Sequence, residues 1–228
     1  MAKARDDAVV RHDFYSSIVL AAATVLTAWC AFQASTFLSL SAGSTAEATR
    51  LRIDAAEASD RAAAFNEIDT NIWVEWVRAV LSELQSGDTR ALAPDGSYTP
   101  IDGTQSTFYY YTFRDEILPA VEAWLDTMPF EDPNAPASPF VLPEYELAPD
   151  QKADQLSDRG FDVAARSASQ SGDAHNYVFL GVVSASALAL AGLAMKLQSE
   201  RVRAWMIGLS AVIIVGVFAV ALTFPIDI

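Results

Sequence analysis

Two histidines and a single cysteine are all that a chain of 228 residues offers to metal and thiol chemistry. A lone Cys30 excludes an intrachain disulfide, and inside a long apolar run a thiol behaves as a small hydrophobe. His12 and His175 are placed on opposite sides of the membrane by the topology below, so no two-histidine metal site forms within one chain. No glycine-rich phosphate loop, nucleophile elbow or zinc-binding helix motif is present. Carboxylates are so numerous that no pair stands out as general acid and base. The expectation is a non-enzymatic protein without a cofactor and without a metal.

Charge is missing from long stretches. No Asp, Glu, Lys or Arg occurs over residues 14–46, 174–195 or 204–226. A helix crossing ~30 Å of hydrocarbon at ~1.5 Å per residue needs about 20 apolar residues. The three stretches predict three transmembrane helices, over 14–40, 174–195 and 204–224. Phe14 and Tyr15, Tyr177 and Phe179, and Trp205 and Phe224 sit where interfacial aromatics are expected. The mixed charges before the first stretch, Lys3, Arg5 and Arg11 among Asp6, Asp7 and Asp13, are not a signal-peptide n-region, and no small-residue cleavage site ends the run, so the helix is expected to stay.

Orientation follows from the positive-inside bias. The short link 196–203 carries Lys196, Arg201 and Arg203 against Glu200, so it is expected in the cytoplasm together with the N-terminus, 1–13. Residues 41–173 and the tail 225–228 then lie outside. From Glu47 to Asp173 there are 24 acidic and nine basic residues, a net of −15 against −14 for the whole chain, so the outer region holds the entire negative excess. Nucleic acid and anionic headgroups are repelled by such a region, whereas a basic protein surface is attracted.

The outer region reads as helical. Residues 44–84 contain no proline or glycine, and Phe65, Ile68, Ile72, Trp73, Trp76, Val77, Val80 and Leu84 recur at helical spacing. This helix is expected to continue out of the first span and to stop at Gln85-Ser86-Gly87-Asp88. Pro94, Asp95-Gly96, Pro100 and Asp102-Gly103 mark a loop over 92–104. A shorter helix carries Phe113, Ile117, Leu118, Val121, Trp124 and Leu125, with Pro119 as a kink or a first-turn residue. The six prolines of 128–149 predict an ordered extended strap in which Phe130, Phe140, Val141, Leu142 and Tyr145 pack back. From Pro149 the chain turns helical toward the second span. The fold class expected is an all-α membrane protein whose extramembrane domain is a helical stalk and cap between spans one and two.

Asp150, Asp154, Asp158 and Asp162 share one helix face and repel one another. If the two arms run antiparallel from about Phe37 and Asn176, Arg50 and Arg52 fall near Asp162, Arg61 near Asp150 and Asp154, and Glu47 near Arg166. A charged seam fixing the register of the stalk is therefore expected. Within the spans, Thr24, Thr27 and Gln33 are candidates for helix packing or for lining a pore, and Gln33 is the costliest to leave facing lipid. Small residues at four-residue steps, Gly181-Ala185-Ala189 and Ala187-Ala191, predict close packing of the second span.

Three segments carry a resemblance: Thr24-Val-Leu-Thr-Ala-Trp-Cys-Ala-Phe-Gln-Ala-Ser35, Phe113 through Pro119-Ala-Val-Glu-Ala-Trp-Leu125, and Pro133 through Ser138-Pro-Phe-Val-Leu-Pro-Glu-Tyr145. In these the chain resembles a group of uncharacterised bacterial inner-membrane proteins with a Thr-Ala-Trp-x-x-aromatic-Gln first span, an outer helical domain and two closing spans. The resemblance implies topology and no site residues. Two functions are compatible with all this. One is an accessory or scaffold subunit that meets other membrane proteins through its spans and a basic protein through its acidic outer face. The alternative is a homo-oligomeric channel lined by the first span.

Overall fold

The structure, a computed structural model, describes residues 2–93, 96–197 and 199–226, with side chains from residue 14 onward. The expectations resting on His12, on the charges of 1–13 and on Pro94 and Asp95 lie outside the described residues or side chains. In chain order the elements are α1 (Ala2–Gln85), α2 (Gln105–Tyr110), α3 (Leu118–Leu125), a 3-10 turn (Pro139–Val141), α4 (Ala148–Ala194) and α5 (Glu200–Ala221). No strand occurs among the described residues, and one isolated antiparallel bridge joins Leu92 and Tyr98. The chain is all-helical.

Local chemistry explains the boundaries. α1 runs unbroken for 84 residues. It ends where Gly87 takes φ +86°, a left-handed value that costs glycine little, and Asp88 N–H closes the turn on the Glu83 carbonyl at 3.0 Å. Thr104 caps α2, its Oγ1 accepting from Thr107 N–H at 3.3 Å. This helix lies just past the loop expected over 92–104 and was not foreseen. α3 is shorter than the helix expected from Phe113. Pro119 lies in its first turn, and because proline lacks an N–H and clashes with the preceding turn, Phe113 and Ile117 stay in turns ahead of it. Residues 128–147 are turns apart from the 3-10 segment, as their prolines dictate.

Two compact units share these elements, Met1–Thr49 with Phe161–Ile228, and Arg50–Gly160. In the first, α1, α4 and α5 are each long and apolar enough to cross a membrane, with windows of mean hydropathy 1.7, 2.0 and 2.4 of which only 28%, 33% and 22% is buried. Apolar side chains such as Val25, Leu38, Phe179, Val182 and Val212 point outward. Apolar faces of this extent suit lipid rather than water, and the chain is a multi-pass membrane protein. Inside the unit Phe37 stacks on Tyr177 with centroids 5.8 Å apart, one residue from the expected pairing, and Phe224 meets Tyr177 edge-on. Tyr177 donates its hydroxyl to the Pro225 carbonyl at 2.9 Å.

The second unit is built on an aromatic core. Trp76, Phe113, Ile117, Val121 and Trp124 are buried together, and Trp73, Tyr98, Tyr110, Phe130, Phe140 and Tyr145 pack against them. The rings meet mostly edge to face, Trp73 on Trp124 at 5.5 Å and Trp76 on Tyr98 at 5.2 Å, the arrangement ring quadrupoles favour. Phe130, Phe140, Leu142 and Tyr145 fold the proline-rich strap onto this core, as expected, although Val141 is exposed.

Candidate functional site

Within the apolar stripe of α1, the position expected for Ile68 is taken by Asp69. Ile68 is 46% exposed, while Asp69 is completely buried. A buried carboxylate needs a charged partner and further hydrogen bonds, or it is severely destabilising. Arg114, in the turn before α3, supplies both arms of its guanidinium: Nε to Asp69 Oδ1 at 2.9 Å and Nη2 to Oδ2 at 2.8 Å. Tyr145 of the strap donates its hydroxyl to Oδ2 at 3.0 Å. Arg114 also pairs with Glu116, and its guanidinium carbon lies 4.2 Å from the Phe65 ring centre. Burial, followed by the Asp69 charge beside it, pushes the Tyr145 phenol well above the ordinary tyrosine range. This cluster ties α1, the α3 approach and the strap together at one point.

A second cluster ties α2 to the end of α1. Glu83 accepts from the Ser106 N–H at 3.0 Å and from its hydroxyl at 2.6 Å. Tyr98 donates to Ser106 Oγ at 2.8 Å, and Ile101 N–H donates to Thr107 Oγ1 at 2.7 Å. Ser106 and Thr107 are thereby buried, and the opposite side of α2 presents Phe108 and Tyr111, 68% and 71% exposed. Nearby, Arg90 donates to both oxygens of Asp88 at 2.8 and 2.7 Å and holds that carboxyl at about 2.

Neither cluster figured among the expected site residues. The signal for the first is the periodicity itself: Asp69 lies at helical spacing from Phe65, Ile72 and Trp76, so an acid occupies a core position and demands a cation. Which cation, the sequence does not say.

The charged-seam residues lie elsewhere. Arg50, Arg52, Asp150, Asp154, Asp158, Asp162 and Arg166 are exposed. Among the described residues only Arg61 of this set enters an ion pair, with Glu57 one turn away on α1, at 3.3 Å. Arg61 lines an open groove with Asp54, Glu57, Phe65, Glu116 and Lys152. The buried faces carry small and hydroxyl side chains instead. In the first unit Ser41 Oγ donates to the Ser167 carbonyl at 3.0 Å, Ser167 Oγ returns a bond to the Ser41 carbonyl at 2.9 Å, and Ser44 donates to Gln170 at 2.9 Å. Short side chains permit close helix approach, and long charged ones are left in solvent, where they cost nothing to hydrate.

Of the span candidates, Gln33 is completely buried. Thr24 and Thr27 turn their hydroxyls onto the Leu20 and Ala23 carbonyls of their own helix, both at 2.8 Å. A Cβ at Gly181 would stand 3.6 Å from Cys30 Cβ, in ordinary contact. Ala185 and Ala189 are exposed, whereas Ala187 and Ala191 are buried. Thr27, Ala31, Ala34, Gly181 and Ala185 floor a shallow, wholly apolar slot of about 250 Å³ walled by Tyr177 and Val182.

Compared with protein-family models, curated proteins and solved structures, the chain finds no match in any of the three.

Proposed function

We propose that the protein is a non-enzymatic accessory or scaffold subunit of a bacterial inner-membrane complex, akin to the group of inner-membrane proteins it resembles. In this reading residues 1–13 and 196–203 are cytoplasmic, 41–173 form an extracytoplasmic stalk and cap, and that acidic domain docks a protein partner. The observation carrying it is how charge is used in the 50–160 unit. Its buried carboxylate, Asp69, is engaged by Arg114 and Tyr145, and Arg61, Arg78 and Arg90 are each taken up by an acid next to them in the chain. Most of its other described carboxylates are on the surface and enter no ion pair among the described residues. A surface of one sign steers and selects a partner of the other.

The small-residue slot at Gly181 supports a second contact, with a membrane-spanning helix of another subunit, since small side chains let helices approach closely in lipid. Burial of Gln33, and the return of the Thr24 and Thr27 hydroxyls to their own helix, support packing over pore lining. Extraction in mild detergent followed by native mass measurement tests the reading. Co-purification with unlike subunits is expected, and a closed ring of identical chains would establish the channel instead.

A further inference from the structure

The outward face of α2 is the feature that the two polar clusters leave unexplained. Phe108 and Tyr111 are one turn apart, so their side chains are neighbours on the helix surface. The inner face of that helix is fastened to Glu83 through Ser106, and the rings are therefore presented by an anchored element and not by a loose loop. Large aromatic side chains left two-thirds exposed on a fastened helix mark an interaction surface.

The charge around them selects the partner. Each of the four arginines between residues 57 and 126 is neutralised inside the unit: Arg61 by Glu57, Arg78 by Glu75, Arg90 by Asp88, and Arg114 by Asp69 and Glu116. The acids preceding and following α2, Asp102, Asp115, Glu122 and Asp126, are exposed and enter no ion pair among the described residues. Exposed aromatic faces on a segment preceded and followed in the chain by unpaired carboxylates suit a guanidinium or ammonium group carried on an aliphatic stem. An anionic bilayer surface is repelled by the same acids.

We propose that Phe108 and Tyr111, with the acids flanking α2, form a docking face for an arginine- or lysine-bearing segment of another protein. This rests on the docking reading above and gives it a location and a partner chemistry. The test uses the full chain in nanodiscs of zwitterionic lipid, titrated with a hexapeptide of arginines interspersed with leucine and with its glutamate counterpart. The arginine peptide is expected to bind and the glutamate peptide not. Phe108→Ala/Tyr111→Ala should weaken binding about tenfold or more, as loss of a central aromatic pair does. Glu122→Gln/Asp126→Asn should flatten its salt dependence. Both variants change exposed side chains, and unchanged thermal melts confirm that they fold.

Equal affinity of wild type and the aromatic variant would overturn the α2 face while leaving acidic docking in place. No binding of the arginine peptide by wild type would overturn both. A patch-dependent attachment to added zwitterionic vesicles, or a patch-dependent dimer in sedimentation, would assign the face to lipid or to a second copy and would equally overturn it.

Discussion

Asp69 carries the largest single energetic stake in the 50–160 unit. It is fully buried, and its two oxygens take three hydrogen bonds from Arg114 and Tyr145. Asp69→Ala strands a guanidinium and a phenol, and it is expected to cost about 3–5 kcal/mol, read as a lowered thermal midpoint of the protein in detergent. Asp69→Asn keeps the shape and part of the hydrogen bonding, so it should cost less. The Tyr145 phenol is raised by burial and by Asp69, so it stays protonated where a free tyrosine would ionise. A raised value means that its contribution is fully present below about pH 10, the unfolded tyrosine value, and is lost as pH climbs through the folded value. The thermal midpoint is therefore expected to fall above about pH 10, and Tyr145→Phe should flatten that alkaline fall. Asp69 is legible in the sequence as an acid at a core position of an amphipathic helix. Its partners are not, because Arg114 and Tyr145 lie 45 and 76 residues away and reach it only through tertiary folding.

At the level of elements, composition decided what could be foreseen. The apolar runs, the proline-free length of α1, the stop at Gly87 and the strap are local properties, and each is found where its residues place it. α2 was missed because its six residues carry no hydrophobic period of their own, and its place is set by Thr104 as cap and Glu83 as anchor. Ser106→Ala removes the hydroxyl that links Glu83 to Tyr98. A loss of about 1–3 kcal/mol is expected, with α2 amides exchanging faster in hydrogen-exchange measurements while those of α4 are unchanged. The residues expected to form a charged seam are exposed, and among the described residues only Arg61 of them is ion-paired, with Glu57. Four-residue spacing places aspartates on one face, but it does not say that this face is the packed one. Ala153, Val163 and Ser167 hold the packed side of α4, and the aspartates take solvent.

On the scale of the whole molecule, three apolar helices and a strongly acidic connecting segment make sidedness the property on which the rest depends. If 41–173 faces outward, its free carboxylates meet extracytoplasmic proteins. If it faces inward, the short basic link 196–203 lies outside, against the positive-inside bias. Labelling settles this with one substituted cysteine. With Cys30→Ser as background, Asp102→Cys places a thiol at an exposed position of the loop before α2. A membrane-impermeant maleimide applied to cells whose outer permeability barrier has been opened is expected to label this cysteine while the inner membrane is intact. Labelling that appears only after the inner membrane is breached would contradict the proposed topology and the docking role built on it.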